Sequence, residues 1–388
     1  MANKKVVKLS KQRNKKTAKK ILKLLVIPIV ILAVLSAMFL SARLMGKVAV
    51  SNITDSLREV KTVFTKGEGY PHSLDALTFR KATAIGSKPL VIYDDSSVVL
   101  SSSASRVFSN QLTSGDSKVI TKNGRALIYS NTSNKVTLQS RSEVLGTVEE
   151  GGSIVTVDLS KNGCIATSHT TTEKQSVLNV YNSRFKKQFQ WECSQEYISS
   201  IALSKNGKNV VIAEVGTENA EIFTNLIIFS TKSKDPIAEL HYGGTFFLKV
   251  IYTDSNKIIV VGDNKTVVLD KKGNVVEETV YSEDSIISVD SDDSGNTVIC
   301  YKEFGGSKTA IERYSKNGKK TFSVVTDGVP DCVAAYGGKT AVVSGNEISV
   351  YSSKGEESEK IETSYPVTDA FWCSGTLYTV ENGHLYRY

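Results

Sequence analysis

From about residue 73 to the end, apolar residues come in short runs of four to seven, rich in Val, Ile, Tyr, Phe and Thr. Clusters of Gly, Asn, Ser, Asp and Lys separate them. This is the pattern of short strands bounded by tight turns. "SIVTVDLS", "NLIIFS", "KIIVVG", "TVVLD" and "TLYTV" are examples, and no long amphipathic helix interrupts the series.

The turns recur. "LSKNG" occurs at Leu159 and again at Leu203. Aligning that turn along the chain places its Gly, or an equivalent residue, at positions 86, 124, 163, 207, 256, 295, 338 and 375. The steps average about 41 residues, the period of four-stranded propeller blades. Related tracts fall half a step away, at "LDKKG" (Leu269), "YSKNG" (Tyr314) and "YSSKG" (Tyr351). A four-stranded blade has an inner and an outer hairpin, and both turns demand Gly or Asn where φ is positive. One tract therefore serves both. The expected fold class is all-β: a β-propeller of eight four-stranded blades. Seven blades follow if the poorly patterned region 86–115 forms no full blade. The eighth unit supplies only three strands. Residues 73–81, "SLDALTFRK", are expected to provide its outer strand and so join the two ends of the chain, because an open edge invites aggregation.

The N-terminal region differs. Residues 1–23 hold ten Lys/Arg and no acid, and residues 24–42, "LLVIPIVILAVLSAMFLSA", hold no charge. A 19-residue helix spans roughly the ~30 Å of a bilayer core. The basic flank places the N-terminus in the cytoplasm. The reading is a basic cytoplasmic tail (1–23), a transmembrane helix (24–42), a juxtamembrane helix and neck (43–72), and an extracytoplasmic propeller (73–388). Apolar residues at Val50, Ile53, Leu57, Val60 and Phe64 follow the helical period and predict a short amphipathic helix over 53–66, with Thr54 able to cap it and "GEGYP" ending it.

Charge sharpens this division. The net charge of +8 hides 12 basic and no acidic residues in the first 50, against 36 basic and 40 acidic in the remainder. The tail suits anionic lipid, and beside an apolar span it reads as a topology signal rather than a nucleic-acid site. Five cysteines, at 164, 193, 300, 332 and 373, match no metal or redox spacing and read as small buried residues of strands.

"LSKNGKNVVIAEV", beginning at Leu203, resembles the turn and following strand of WD40-like and YVTN-type bacterial propellers. The whole layout looks like membrane-anchored propeller families of unknown function in Gram-positive bacteria. The resemblance implies a fold and a location at the cell membrane, and no chemistry.

Candidate chemistry is sparse. In "DSDDSG", Asp290, Asp292 and Ser294 occupy positions 1, 3 and 5 of a calcium loop, with Gly295 at position 6. Position 12 is Tyr301 where a bidentate Glu is needed, and the stretch is in phase with the ordinary turns, so a polar hairpin turn is the better reading. The four histidines form no H-E-x-x-H motif. Trp191 and Trp372 lack the repeated tryptophan pattern of quinoprotein propellers, so no cofactor is expected. Tyr93, Tyr129, Tyr252 and Tyr301 flank first-hairpin strands and read as packing between blades. The expected function is a membrane-tethered scaffold that binds an envelope protein or polymer at the propeller face. The alternative is an extracytoplasmic hydrolase or lyase acting on a glycan or peptide, with its site at the channel mouth.

Overall fold

A computed structural model describes residues 26, 36, 40, 47–59, 67–282, 285–303, 305 and 308–388. The chain divides into two units, Met1–Val50 and Ser51–Tyr388. The second contains eight four-stranded antiparallel sheets. Seven are uninterrupted meanders, and the first runs Phe79–Ile85, Lys88–Tyr93, Ser96–Leu100 and Arg106–Gln111. The poorly patterned region after residue 86 is thus a full blade, and eight is the number. The inner strands of successive blades stand side by side. Apolar clusters fill the seams between blades, such as Leu178, Val180, Ile201 and Ile212 between blades 3 and 4.

Closure follows the expected topology with different boundaries. The eighth sheet joins Val367–Cys373, Thr376–Glu381 and His384–Arg387 to the two-residue strand His72–Ser73. The closing strand is shorter than residues 73–81, because Phe79 already begins blade 1. Side chains and loop bonds compensate. Leu74 N donates to Gly383 O at 2.8 Å. Tyr70 donates to Ser101 O at 2.9 Å and packs edge-on against Tyr378, with ring centroids 5.2 Å apart.

The recurring turn residue has the required geometry: φ is 86° at Gly163, 63° at Gly207 and 57° at Asn256. In blade 7 the positive φ falls at Gly337, one residue before the expected Gly338. Third and fourth strands carry a register shift in seven blades, where a bulge adds the twist that carries the outer strand away from the first.

Two expectations for the N-terminal region are corrected. Among the described residues no helix is long and apolar enough to cross a membrane. The stretch expected to span, 24–42, lies outside the described residues apart from Val26, Ser36 and Leu40, as does the tail 1–23. The single-pass anchor, the cytoplasmic N-terminus, the extracytoplasmic propeller and the lipid contact of the tail all depended on that span, and none is carried further. The short helix is Lys47–Glu59, beginning six residues before the expected start, and residues 60–66 lie outside the described residues. Thr54 is no cap: its hydroxyl donates to Ser51 O inside the helix. Within 51–59 the apolar stripe faces out, with Ile53 and Leu57 exposed and Ser51 and Asp55 wholly buried. The polar side docks because it has partners there. Asp55 accepts from the Ser140 and Ser142 hydroxyls at 2.8 and 2.6 Å, and Glu59 accepts from Arg141 Nε at 2.7 Å.

Candidate functional site

An antiparallel meander puts its first and third hairpin turns at one end and its second turn at the other, with the connection to the next blade. The propeller therefore has a turn face and a loop face. The inner strands surround an axial cavity of about 1140 Å³.

The two ends of this cavity differ. At the turn face, chain segments meet across the axis. Asn123 N, in the first turn of blade 2, donates to Asp293 Oδ2 of blade 6 at 2.9 Å. These blades stand four apart in a ring of eight and so face each other. Lys161 of blade 3 reaches Asp254 Oδ2 of blade 5 at 2.5 Å. Asp254 N donates to Ser294 O at 2.9 Å. Asn52 of the docked helix donates to Asn123 O at 3.1 Å.

The suspected calcium loop is part of this lacing. Asp290 Oδ2 accepts from Ala335 N at 2.8 Å. Asp292 Oδ1 accepts from Ser294 N and Asn296 N, and its Oδ2 accepts from Gly337 N at 2.8 Å. The Ser294 hydroxyl lies 3.5 Å from Lys161 Nζ. The three side chains turn to separate partners. Among the described residues no group of three or more His, Cys, Asp or Glu is placed to hold a metal ion.

The channel wall has a repeated device. Each blade's first strand is an edge, so its inward N–H groups lack a ladder partner. Side chains from the preceding blade accept some of them: Asp158 from Leu203 N at 2.6 Å, Ser200 from Val250 N at 3.0 Å, and Asp290 from Ala335 N at 2.8 Å. Burial among the inner strands pushes the carboxyl groups of Asp158 and Asp290 above the ordinary range, opposed by Lys122 and Lys249 respectively and by those N–H bonds. Burial likewise lowers the Lys249 ammonium, opposed by Asp290. These side chains retain some accessible area because the cavity reaches them, yet inner strands enclose them. The side-chain ammonium groups of Lys81, Lys122 and Lys249 have no hydrogen bond or ion pair within 4 Å among the described residues, and they balance the acids at longer range.

A histidine–acid pair exists, away from the channel. Glu150 is buried at the seam of blades 2 and 3, accepting from Thr167 Oγ1 at 2.5 Å, Asn179 Nδ2 at 2.6 Å and Tyr181 OH at 2.9 Å. His169 Nδ1 lies 3.6 Å from its Oε2, and burial lowers the imidazole. His241 bonds Asn225 and His384 bonds Asn382 O. Of the tyrosines singled out by sequence, Tyr252 reaches the channel wall. Tyr301 instead stacks on Tyr281 at 4.6 Å and donates to Glu312. All five cysteines are free, and burial pushes the Cys332 thiol, on the channel wall, up to about 12.

The loop face carries exposed apolar side chains where connections enter the inner strands. Leu77, Val329 and Tyr365 lie on connectors, and Tyr197 and Leu248 begin inner strands. Sequence reading missed these residues because they are scattered from 77 to 365 along the chain, and only the ring brings them to one rim.

A family model described as "Family of unknown function (DUF5711)" matches residues 72–386. No curated protein matches. Among solved structures, apo AztD from Citrobacter koseri aligns with a TM-score of 0.50 at 11% identity, covering 74% of this chain and 86% of that one. BamB from Moraxella catarrhalis aligns with a TM-score of 0.50 at 10% identity, covering 81% of this chain and 97% of that one. At such identities the likeness is one of fold.

Proposed function

The chain belongs to the DUF5711 family, a family of unknown function, and we propose that its propeller is a non-catalytic scaffold that docks a partner protein on the loop face. The observation that carries this reading is the difference between the two ends. The turn face is laced across the axis and holds the helix segment 51–59, which leaves Ile53 and Leu57 exposed on that segment. The loop face presents Leu77, Tyr197, Leu248, Val329 and Tyr365 to solvent, from 44% to 88% exposed. Apolar side chains set around the rim of a polar body, with no lacing between them among the described residues, are what a protein interface uses. The channel acids support the same reading, since Asp158 and Asp290 each hold a main-chain N–H of the next blade.

The test is site-specific photo-crosslinking in the native host, with the reactive side chain at Val329 on the loop face or at Lys205 on the turn face. The reading expects a discrete protein adduct from 329, weakened by Leu248→Asp, and none from 205. Adducts from 205 alone, or equal adducts from both, would refute it.

A further inference from the structure

Blade 4 departs from its neighbours in length. Its second and third strands, Asn209–Glu218 and Glu221–Ser230, have ten residues each, against four to seven elsewhere. They pair without interruption from Asn209↔Ser230 to Glu218↔Glu221, and Asn219 and Ala220, both at positive φ, close the hairpin. The inner strand begins at Tyr197, opposite Val215. Gly216, Thr217 and Glu218 therefore rise past it on the loop face, with no strand among the described residues on their inner side.

The two sides of this arm are unequal. Side chains alternate along a strand. Lower in the blade, Val211, Ala213 and Leu226 turn toward blade 5. By that alternation Val215, Thr217 and Ile222 face the same way, and Tyr197, paired with Val215, joins them. Tyr197 and Ile222 are about half exposed, as is Leu248 at the start of the blade 5 inner strand. The other side is filled: Phe223 lies over Gly216, where an added Cβ would meet its ring at 2.5 Å, and packs at a tilt against His241. Charge is one-sided too. Residues 209–231 and 235–245 contain five acids, Glu214, Glu218, Glu221, Asp235 and Glu239, and no Lys or Arg.

An edge without Lys, Pro or bulge is open to pairing, and an extended peptide adds to such an edge through its main chain. We propose that the arm docks an extended, basic segment of a partner polypeptide. The segment pairs as a strand with 216–218 and seats apolar side chains against Tyr197, Ile222 and Leu248, and its cations meet Glu218 and Glu221. This rests on the loop-face reading above and gives its partner a chemistry.

The test uses the full chain and a fluorescein-labelled heptapeptide of alternating lysine and valine, with a glutamate–valine peptide as control. Anisotropy should show saturable binding of the lysine peptide only. The double variant Glu218→Lys/Glu221→Lys, and separately Ile222→Asp, should each weaken it about tenfold or more with an unchanged melting temperature. Amide exchange at 216–218 should slow when the peptide binds. No saturable binding, equal affinity for both peptides, or affinity unmoved by the variants would overturn the proposal, as would protection confined to other strands. Peptide failure with loop-face adducts retained overturns the arm alone, and failure of both overturns both.

Discussion

Replacing Glu150 by Ala tests whether the polar seam between blades 2 and 3 holds the ring together. The side chain is 2% exposed and accepts three hydrogen bonds of 2.5–2.9 Å. Thr167, Asn179 and Tyr181 stand on blade 3, on the side opposite Leu178 and Val180, which pack toward blade 4. Glu150 itself follows the last strand of blade 2, Val144–Glu149. Each hydrogen bond to a charged acceptor is worth about 1.5–3 kcal/mol. Relief of the buried carboxylate's desolvation returns several kcal/mol. The net loss is about 4 kcal/mol. With roughly 320 ordered residues unfolding at about 2.1 cal/mol/K each, that lowers Tm by about 6 °C. Gln keeps one acceptor and the volume, and should lose about half as much. The assay is calorimetry of both variants beside Tyr181→Phe, which removes one donor and leaves the carboxylate two. It should cost about 2 kcal/mol. An alanine variant within 1 °C of the wild type would refute the reasoning, because water would then serve the three donors as well as Glu150 does.

Other perturbations probe different links. Asp290→Asn keeps an acceptor for Ala335 N and removes a carboxyl whose native value is raised. The native state then holds more protons than the unfolded chain between the ordinary carboxylate range and the raised value, so this group's stability contribution is lost as pH rises through that window. The variant's Tm relative to wild type should therefore be higher at pH 7 than at pH 4, and the opposite trend in a melting series would sink the assignment. Tyr70→Ala removes the ring that packs on Tyr378 and the bond to Ser101. It should cost about 3 kcal/mol and speed proteolysis at the chain ends before any other site, as mass spectrometry of timed digests would reveal. Gly152→Ala puts a Cβ 1.7 Å from the main-chain oxygen of Thr170. A loss of about 3 kcal/mol in urea unfolding is expected, and a neutral result would mean that the connector 150–153 moves freely.

The blade number and the closing partnership were legible because they rest on local chemistry repeated eight times. A turn that needs positive φ selects Gly or Asn wherever it occurs, so Gly163, Gly207 and Asn256 mark the period by themselves. Features that depend on which residues the ring brings together were not legible. Asp293 meets Asn123 across 170 positions of sequence, and nothing near either residue signals it. The same turn resembles a metal loop because alternating Asp and Ser suit both a cation and a row of main-chain N–H groups; Tyr301 at position 12 and the phase of the repeat already favoured a turn, but the N–H partners on blade 7 could not be read. The helix 51–59 was misjudged for a related reason. Its apolar period is real, but the polar side found Ser140 and Arg141, and no pattern within the helix names partners some 85 residues away. The long arm of blade 4 hid inside an ordinary strand pattern, where a few extra residues on each side of Asn219 look like scatter in the repeat.

The lacing between Asn123 and Asp293 has a mechanical consequence. Those two turns face each other across the axis at the turn end of the cavity. A thread-like polymer can leave by that end only if the opposing turns first part.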